Sequence, residues 1–267
     1  NNNVVLPSYV PSNGLVGWWP FNGNANDESG NGNNGTVNGA SLTTDRNGNS
    51  NTAYYFNGIS NNIVVPNSNS LNPSALTINV WINPASDNIT ILEKGNELNA
   101  QDHSFALTHN DYWQTQRGLK SSYGIGNCSQ ISGITSWSNY NQITNNTWSM
   151  ITVSVDNLGN IKHYKNGVLF YTDLGSAFIS CNNAASTLRF GGSHWVSDPE
   201  WFNGIIDDIG IWNRALTQQE ITQLYQANNN VVLPSYVPSN GLVGWWPFNG
   251  NANDESGNNL NGNILGA

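Results

Sequence analysis

Charge is what this chain has least of. Asp, Glu, Lys and Arg make up 9% of its 267 residues, against roughly 25% in an ordinary soluble domain. Only 8 are basic against 17 acidic, a net charge of −9. That excludes the clustered Lys and Arg that nucleic-acid phosphates require, and it disfavours anionic membrane surfaces. Long apolar runs are missing as well, so nothing reads as the eighteen or so apolar residues of a membrane-spanning helix. No secretory leader opens the chain; because the numbering starts inside a repeat, this excludes nothing. Cysteine is almost absent. Cys128 and Cys181 are the only two, and in a chain so rich in Asn they read best as one disulfide made in an oxidising compartment, the alternative being two free buried thiols. Neither has a second Cys or a His at metal-ligand spacing.

What replaces charge is Asn, Ser, Thr, Gln and Gly, together with 11 Trp and 10 Tyr. The first thirty residues, NNNVVLPSYVPSNGLVGWWPFNGNANDESG, return unchanged at 228–257. Beyond them, 31–40 and 258–267 still agree at five of ten positions, with Val37 answered by Ile264. A repeat offset by 227 residues has the period of a whole domain, not of a solenoid unit. The organisation expected is a linker at 1–13, a domain at 14–227, the linker again at 228–240, and the start of a further identical repeat at 241–267. Val4, Val5, Leu6 and Tyr9 are apolar for a free linker and point to docking on a neighbouring domain.

Within the unit, GLVGWWPF (14–21), AYYFNG (53–58) and NIVVP (62–66) read as short strands. In LTINVWINP (76–84), Leu76, Ile78, Val80 and Ile82 alternate with Thr77, Asn79, Trp81 and Asn83, the period of a half-buried strand. SMITVSVD (149–156) repeats the pattern with Ile151, Val153 and Val155 inward. NIKHYKNGVLFYTD (160–173) reads as a hairpin about Asn166-Gly167, because a type I′ turn requires positive φ there. STLRFGG (186–192) and GIIDDIGIW (204–212) complete the strands. One helix is expected over 214–227, opened by a Thr217–Glu220 capping box, with Ile221, Leu224 and Tyr225 on one face. Many strands and a single terminal helix predict an all-β, two-sheet antiparallel jelly-roll sandwich with one short C-terminal helix.

The order GLVGWWPFNGNANDESGNGNNG, AYYFNG, LTINVWINP, TWSMITVSVD, YKNGVLFY and FNGIIDDIGIWNRALTQQEITQLY resembles the LamG-type, concanavalin A-like domain in its pentraxin-related bacterial branch. The resemblance runs over about 14–225 and is weakest near 85–145. It implies two antiparallel sheets, a structural calcium site, and often glycan or protein binding. It also implies a secreted or cell-surface location, where tandem copies resemble an adhesin. In GIIDDIGIW, strict alternation puts Asp207 on one face with Ile205, Ile209 and Ile211, and Asp208 on the other. A carboxylate on an apolar face needs a partner. Carried over from the family, that partner is calcium, held by Asp207, the carbonyl of Gly58 and a carbonyl near Pro20 to Asn22, with Asn24 and Asp27 adding side-chain oxygens. The alternative is an ion-free Asp207 hydrogen-bonded to loop amides.

Catalysis is not expected. Relatives that cleave β-glucans carry a Glu-x-Asp-x-x-Glu strand, and none of Glu28, Glu93, Glu97, Glu200, Glu220 and Glu255 belongs to one. Glu93 and Glu97 fall in a turn-like LEKGNE with no facing partner in sequence. No G-x-S-x-G elbow or zinc-spaced histidine appears. For binding, loop aromatics beside polar residues are the candidates, since sugars stack on flat rings while amides and carboxylates take their hydroxyls. These are His109, Asp111, Tyr112 and Trp113, then Trp137 and Tyr140, then Trp195 and Trp201. The expected partners are a glycan or cell-surface ligand and adjacent identical repeats. The purely structural repeat is the rival reading. Because 14–21 and 241–248 are identical, either fits one strand slot, by docking on its own domain or by head-to-tail exchange between molecules.

Overall fold

A computed structural model describes residues 6–87, 89–96, 99–109, 119–123, 134–137, 143–174, 186–194, 200–227, 236–238, 241–248, 252, 254 and 262. In chain order the strands are β1 (Leu15–Trp19), β2 (Thr36–Asn38), β3 (Ser41–Thr43), β4 (Ala53–Asn57), β5 (Asn62–Val65), β6 (Leu76–Pro84), β7 (Ile89–Asn96) and β8 (Asn99–His109). They continue as β9 (Leu119–Tyr123), β10 (Ile134–Trp137), β11 (Ser149–Val155), β12 (Asn160–Lys165), β13 (Val168–Leu174), β14 (Ser186–Phe190) and β15 (Asn203–Trp212), and end in one helix, α1 (Gln218–Ala227). One antiparallel sheet runs β13-β12-β11-β6-β15-β4-β3, with β1 also on β15; the other runs β10-β9-β8-β7-β14-β5-β2. This is the expected two-sheet sandwich.

The alternation in β6 and β11 decides which face meets the other sheet. Leu76, Ile78, Val80, Ile82, Ile151, Val153 and Val155 join Leu188, Phe190, Leu92 and Phe105 in one buried core. The opposite face of the first sheet is covered too, which sets this sheet apart from a half-wet one. Trp81, Trp212, Trp18, Met150 and Tyr164 are buried there under Leu216, Ile221 and Leu224 from the α1 region and Val10 from the N-terminal segment, with Leu6 and Tyr9 packed alongside. Residues 6–13 therefore dock on the chain's own domain: the Trp212 indole N–H donates to the carbonyl of Pro11 at 2.6 Å.

Local chemistry fixes the ends as expected. Asn166 and Gly167 have φ of 52° and 78° between β12 and β13. At the start of α1, the Glu220 amide donates to the Thr217 hydroxyl at 3.2 Å and the Thr217 amide to the Glu220 carboxylate at 2.8 Å, a reciprocal capping box. Arg214 clamps that carboxylate through both terminal nitrogens, at 2.9 and 2.5 Å. Ahead of the box the chain is not helical, so the helix begins at Gln218 and not at 214.

His163 on β12 is fully buried beside Phe170 and Tyr171, and burial pushes its pKa down to about 4. A depressed histidine contributes stability above its unfolded pKa of about 6.5 and loses it as pH falls through the folded value. Equilibrium unfolding of the protein and of His163→Leu is therefore expected to diverge between pH 6.5 and 4, the parent losing up to about 3 kcal/mol more on acidification.

Candidate functional site

Among the described residues, two polar constellations on the outer faces of the sheets bear on the expected site residues. The first forms where β15 changes neighbour. Its early half pairs with β4 through Ile206 and its late half with β1 from Ile209, while β6 runs along the other side. Between them β15 carries an extra residue: Asp207 faces Trp81 and Gly210 faces Asn79, three residues against two. Asp208 takes a φ of 44° to make this bulge. The extra residue reverses the alternation. Ile206, Ile209 and Ile211 face the core, Ile205 does not, and both aspartates lie on the outer face beside Trp81. The strict alternation expected for Asp207 is thus corrected.

Asp207 and Asp208 are not left bare. Arg46, from the loop after β3, pairs with Asp207 through Nη1 and with Asp208 through Nη2 at 2.6 Å. Its guanidinium also lies 4.4 Å from the centre of the Trp81 ring, whose neighbour Tyr225 stacks at 5.7 Å. Burial, then the charge of Asp208, raises the Asp207 carboxyl well above the usual range, while Arg46 pulls it down. Asp208 is raised by burial and likewise opposed by Arg46. Tyr9 of the docked segment feels the same pair: burial, then Asp208, pushes its phenol up to about 12.

The remaining residues of the expected calcium set are engaged separately. Asp27 accepts the amides of Trp18 (3.0 Å), Ser29 (2.8 Å) and Asn33 (2.9 Å), tying β1 to the loop that follows it. Asn24 takes the amide of Asn26 at 2.8 Å, and the Asn22 carbonyl accepts from the Asn24 side chain at 3.4 Å. Pro20 is buried, and Gly58 donates its amide to the carbonyl of Phe202 at 3.0 Å. Among the described residues no group of three or more His, Cys, Asp or Glu side chains is gathered for a metal. The set Asp207, Gly58, Pro20, Asn22, Asn24 and Asp27 does not fit a calcium cage, because a guanidinium holds the central carboxylate.

The second constellation covers the outer face of the other sheet. Leu188 and Phe190 of β14 and Leu92 of β7 point into the core, so Thr187, Arg189 and Glu93 point outward, with Arg189 directly opposite Glu93. After β14, Gly191 and Gly192 lead to Ser193 and His194, and Glu200 to Phe202 lead into β15. Glu93, expected in a turn without a partner, is instead a buried strand residue. Its carboxylate accepts the His194 amide at 3.1 Å and faces the His194 Nδ1 at 3.7 Å. The other ring nitrogen of His194 meets the Thr187 hydroxyl at 3.0 Å. Arg189 donates to the Ser193 carbonyl at 2.6 Å, and Glu200 accepts from the Thr90 hydroxyl at 2.7 Å. These contacts pin Ser193, His194 and Glu200 to the sheet. At its rim Trp201 lies against Gly192, with the Arg189 guanidinium 5.8 Å from the ring centre.

Of the expected ligand residues, Trp201 sits in this rim, half-buried. His109 ends β8 opposite Ile89 and Leu119, and Trp137 ends β10 opposite Lys120, both on this second sheet. Asp111, Tyr112, Trp113, Tyr140 and Trp195 lie outside the described residues, as do Cys128 and Cys181. Sequence reasoning missed Arg46, Arg189 and Thr187; only the neighbouring Trp201 signalled the second site.

Residues 56–222 match the family model of the concanavalin A-like lectin/glucanases superfamily. The chain belongs to this superfamily. No curated protein matches it in sequence. Among solved structures, domain 4 of AbnA, a GH43 extracellular arabinanase from Geobacillus stearothermophilus in complex with arabinotriose, is similar at a TM-score of 0.61 and 23% identity, over 79% of this chain and 98% of that one. The binding domain of Paraclostridial Mosquitocidal Protein 1 is similar at 0.62 and 20%, over 81% and 53%. The binding domain of botulinum neurotoxin DC in complex with SialylT is similar at 0.58 and 16%, over 81% and 52%. At these identities the likeness is one of fold, and the chain spans about half the length of the two toxin domains. Among the described residues no helix is long and apolar enough to cross a membrane.

Proposed function

We propose that this superfamily member is a non-catalytic binding module of an extracellular protein, with a glycan as its ligand at the Trp201–Arg189 rim of the second sheet. The observation that carries this reading is a division of labour within one polar cluster. Glu93 and His194 are buried and hold the loop in place, while Trp201, Arg189, Thr187 and Glu200 are only partly covered. An aromatic face with a cation and hydroxyl-accepting groups around it is the chemistry that orients a sugar. Relatives of this fold solved with arabinotriose and with SialylT point the same way. The non-catalytic reading is supported by the state of the two carboxylates: Glu93 is covered and holds the His194 amide, and Glu200 is tied to Thr90.

Titration with arabino-oligosaccharides and with sialylated glycans tests this. Binding of one class is expected, weakened about tenfold or more by Trp201→Ala through loss of stacking area and cation contact. A protein that binds neither class favours the other reading, a structural repeat of an adhesin-like array. That reading draws on the unchanged thirty-residue duplication and on a linker that packs on its own sheet.

A further inference from the structure

The chain contains two identical copies of one strand, and the described residues contain one slot for it. In that slot β1 pairs with Ile209–Trp212 of β15. It buries Val16, Trp19 and Phe21 in the core and Trp18 under the docked segment. The second copy, 241–248, lies in no strand, yet it takes the shape of the first. Gly241 and Gly14 have φ of 78° and 76°, and Phe248 and Phe21 both 55°. The Trp245 amide donates to Asp254 at 2.7 Å, as the Trp18 amide does to Asp27 at 3.0 Å. Gly262 donates to the Ala252 carbonyl at 2.8 Å, as Gly35 does to that of Ala25 at the same distance. What differs is cover. Val16 is 3% exposed and Val243 73%; Phe21 is 0% and Phe248 70%.

We infer that the β1 slot beside β15 is a binding site for this segment whichever end of the chain supplies it, and that residues 241–248 replace 14–21 there within one molecule. Identical sequences make identical contacts in the slot, so only the tethers distinguish the two occupants. The tether to the second copy is long enough. Leu6 packs on the same apolar cluster as Leu224 and Tyr225 of α1. The copy of Leu6 is Leu233, six residues beyond the end of α1, a reach of about 20 Å. Exchange between molecules is disfavoured by comparison. It buries one copy, uncovers another of the same sequence, and adds the loss of translational freedom on association.

The test places a carboxylate in one copy at a time. An unpaired charge at a buried position is strongly destabilising, so Val16→Asp disables the first copy and Val243→Asp the second. Val16→Asp is expected to unfold cooperatively within a few degrees of the parent and to run as a monomer in light scattering. The double variant is expected to fall by about 10 °C or more, or not to fold. A Val16→Asp protein that falls as far as the double variant overturns the inference. Survival of Val16→Asp only as a dimer or larger assembly overturns the in-chain assignment and makes a second molecule the donor.

Discussion

Replacing Arg46 with Met is expected to cost about 3–5 kcal/mol at neutral pH, because it strands two buried carboxylates. For a domain of this size that is about 10 °C in midpoint. Among the described residues Arg46 is the cation paired with both Asp207 and Asp208, and it holds down two carboxyl pKa values that burial has raised. The sign of the pH dependence follows. A carboxyl whose folded pKa lies above its unfolded value contributes stability that is complete below the unfolded value and is lost as pH rises through the folded one. Removing Arg46 raises the folded values further, so the deficit of Arg46→Met is largest at pH 7 and shrinks toward pH 4 as the carboxyls take up protons. Chemical denaturation at the two pH values checks it. Adding Asp207→Asn and Asp208→Asn to Arg46→Met removes the stranded charges and is expected to recover most of the loss at pH 7. A deficit that is the same at both pH values, and unmoved by the two Asn substitutions, would make Arg46 a packing residue against Trp81.

The same bulge marks where the sequence stopped being readable. Strict alternation in β6 and β11 identified the core face residue by residue, since nothing interrupts those strands. In β15 one additional residue reversed the assignment, and no local signal in GIIDDIGIW distinguishes a bulge from a regular strand. The partner of the two aspartates is Arg46, about 160 positions away, in a loop whose sequence TDRNGNS has no periodicity. The calcium set was carried over from the family onto an Asp207 expected on the apolar face; the bulge turns that carboxylate outward, to Arg46. The turn-like reading of LEKGNE failed for a different reason. Glu93 and Lys94 look solvated in sequence, but β7 is a central strand. One side chain is held outside by His194; the other runs inward to the Asn67 side chain at 3.0 Å, and burial lowers its pKa to about 8. Both burials are set by residues of other segments, His194 and Asn67, that only the fold brings there. By contrast the capping box at Thr217 and the turn at Asn166-Gly167 are local chemistry, and both form as the sequence dictates.

Gly204→Ala is expected to damage the candidate ligand site through the backbone, lowering stability by about 3 kcal/mol or more through combined backbone strain and overpacking. Gly204, the second residue of β15, has a φ of 137°, a region that side chains rarely tolerate. A Cβ there would lie 2.3 Å from the Asn83 carbonyl oxygen and 2.8 Å from the Pro84 Cα. Both are backbone atoms of β6, and neither can turn aside as a flexible side chain would. The Ala85 amide donates to the Asn203 carbonyl at 2.8 Å, and the Phe202 amide to that of Gly191 at 3.0 Å. Moving Gly204 away from β6 therefore pulls on the two residues that follow Trp201. Gly241→Ala is the control: its φ is also positive, at 78°, but nothing lies within 4 Å of the added carbon, so only the left-handed backbone cost of about 1–2 kcal/mol applies. Thermal unfolding of the two variants separates steric from conformational cost. Glycan titration of whatever Gly204→Ala protein remains folded then reads whether the start of β15 positions the Trp201 rim: weakened binding is expected, and parent-like affinity would place the site elsewhere on the sheet.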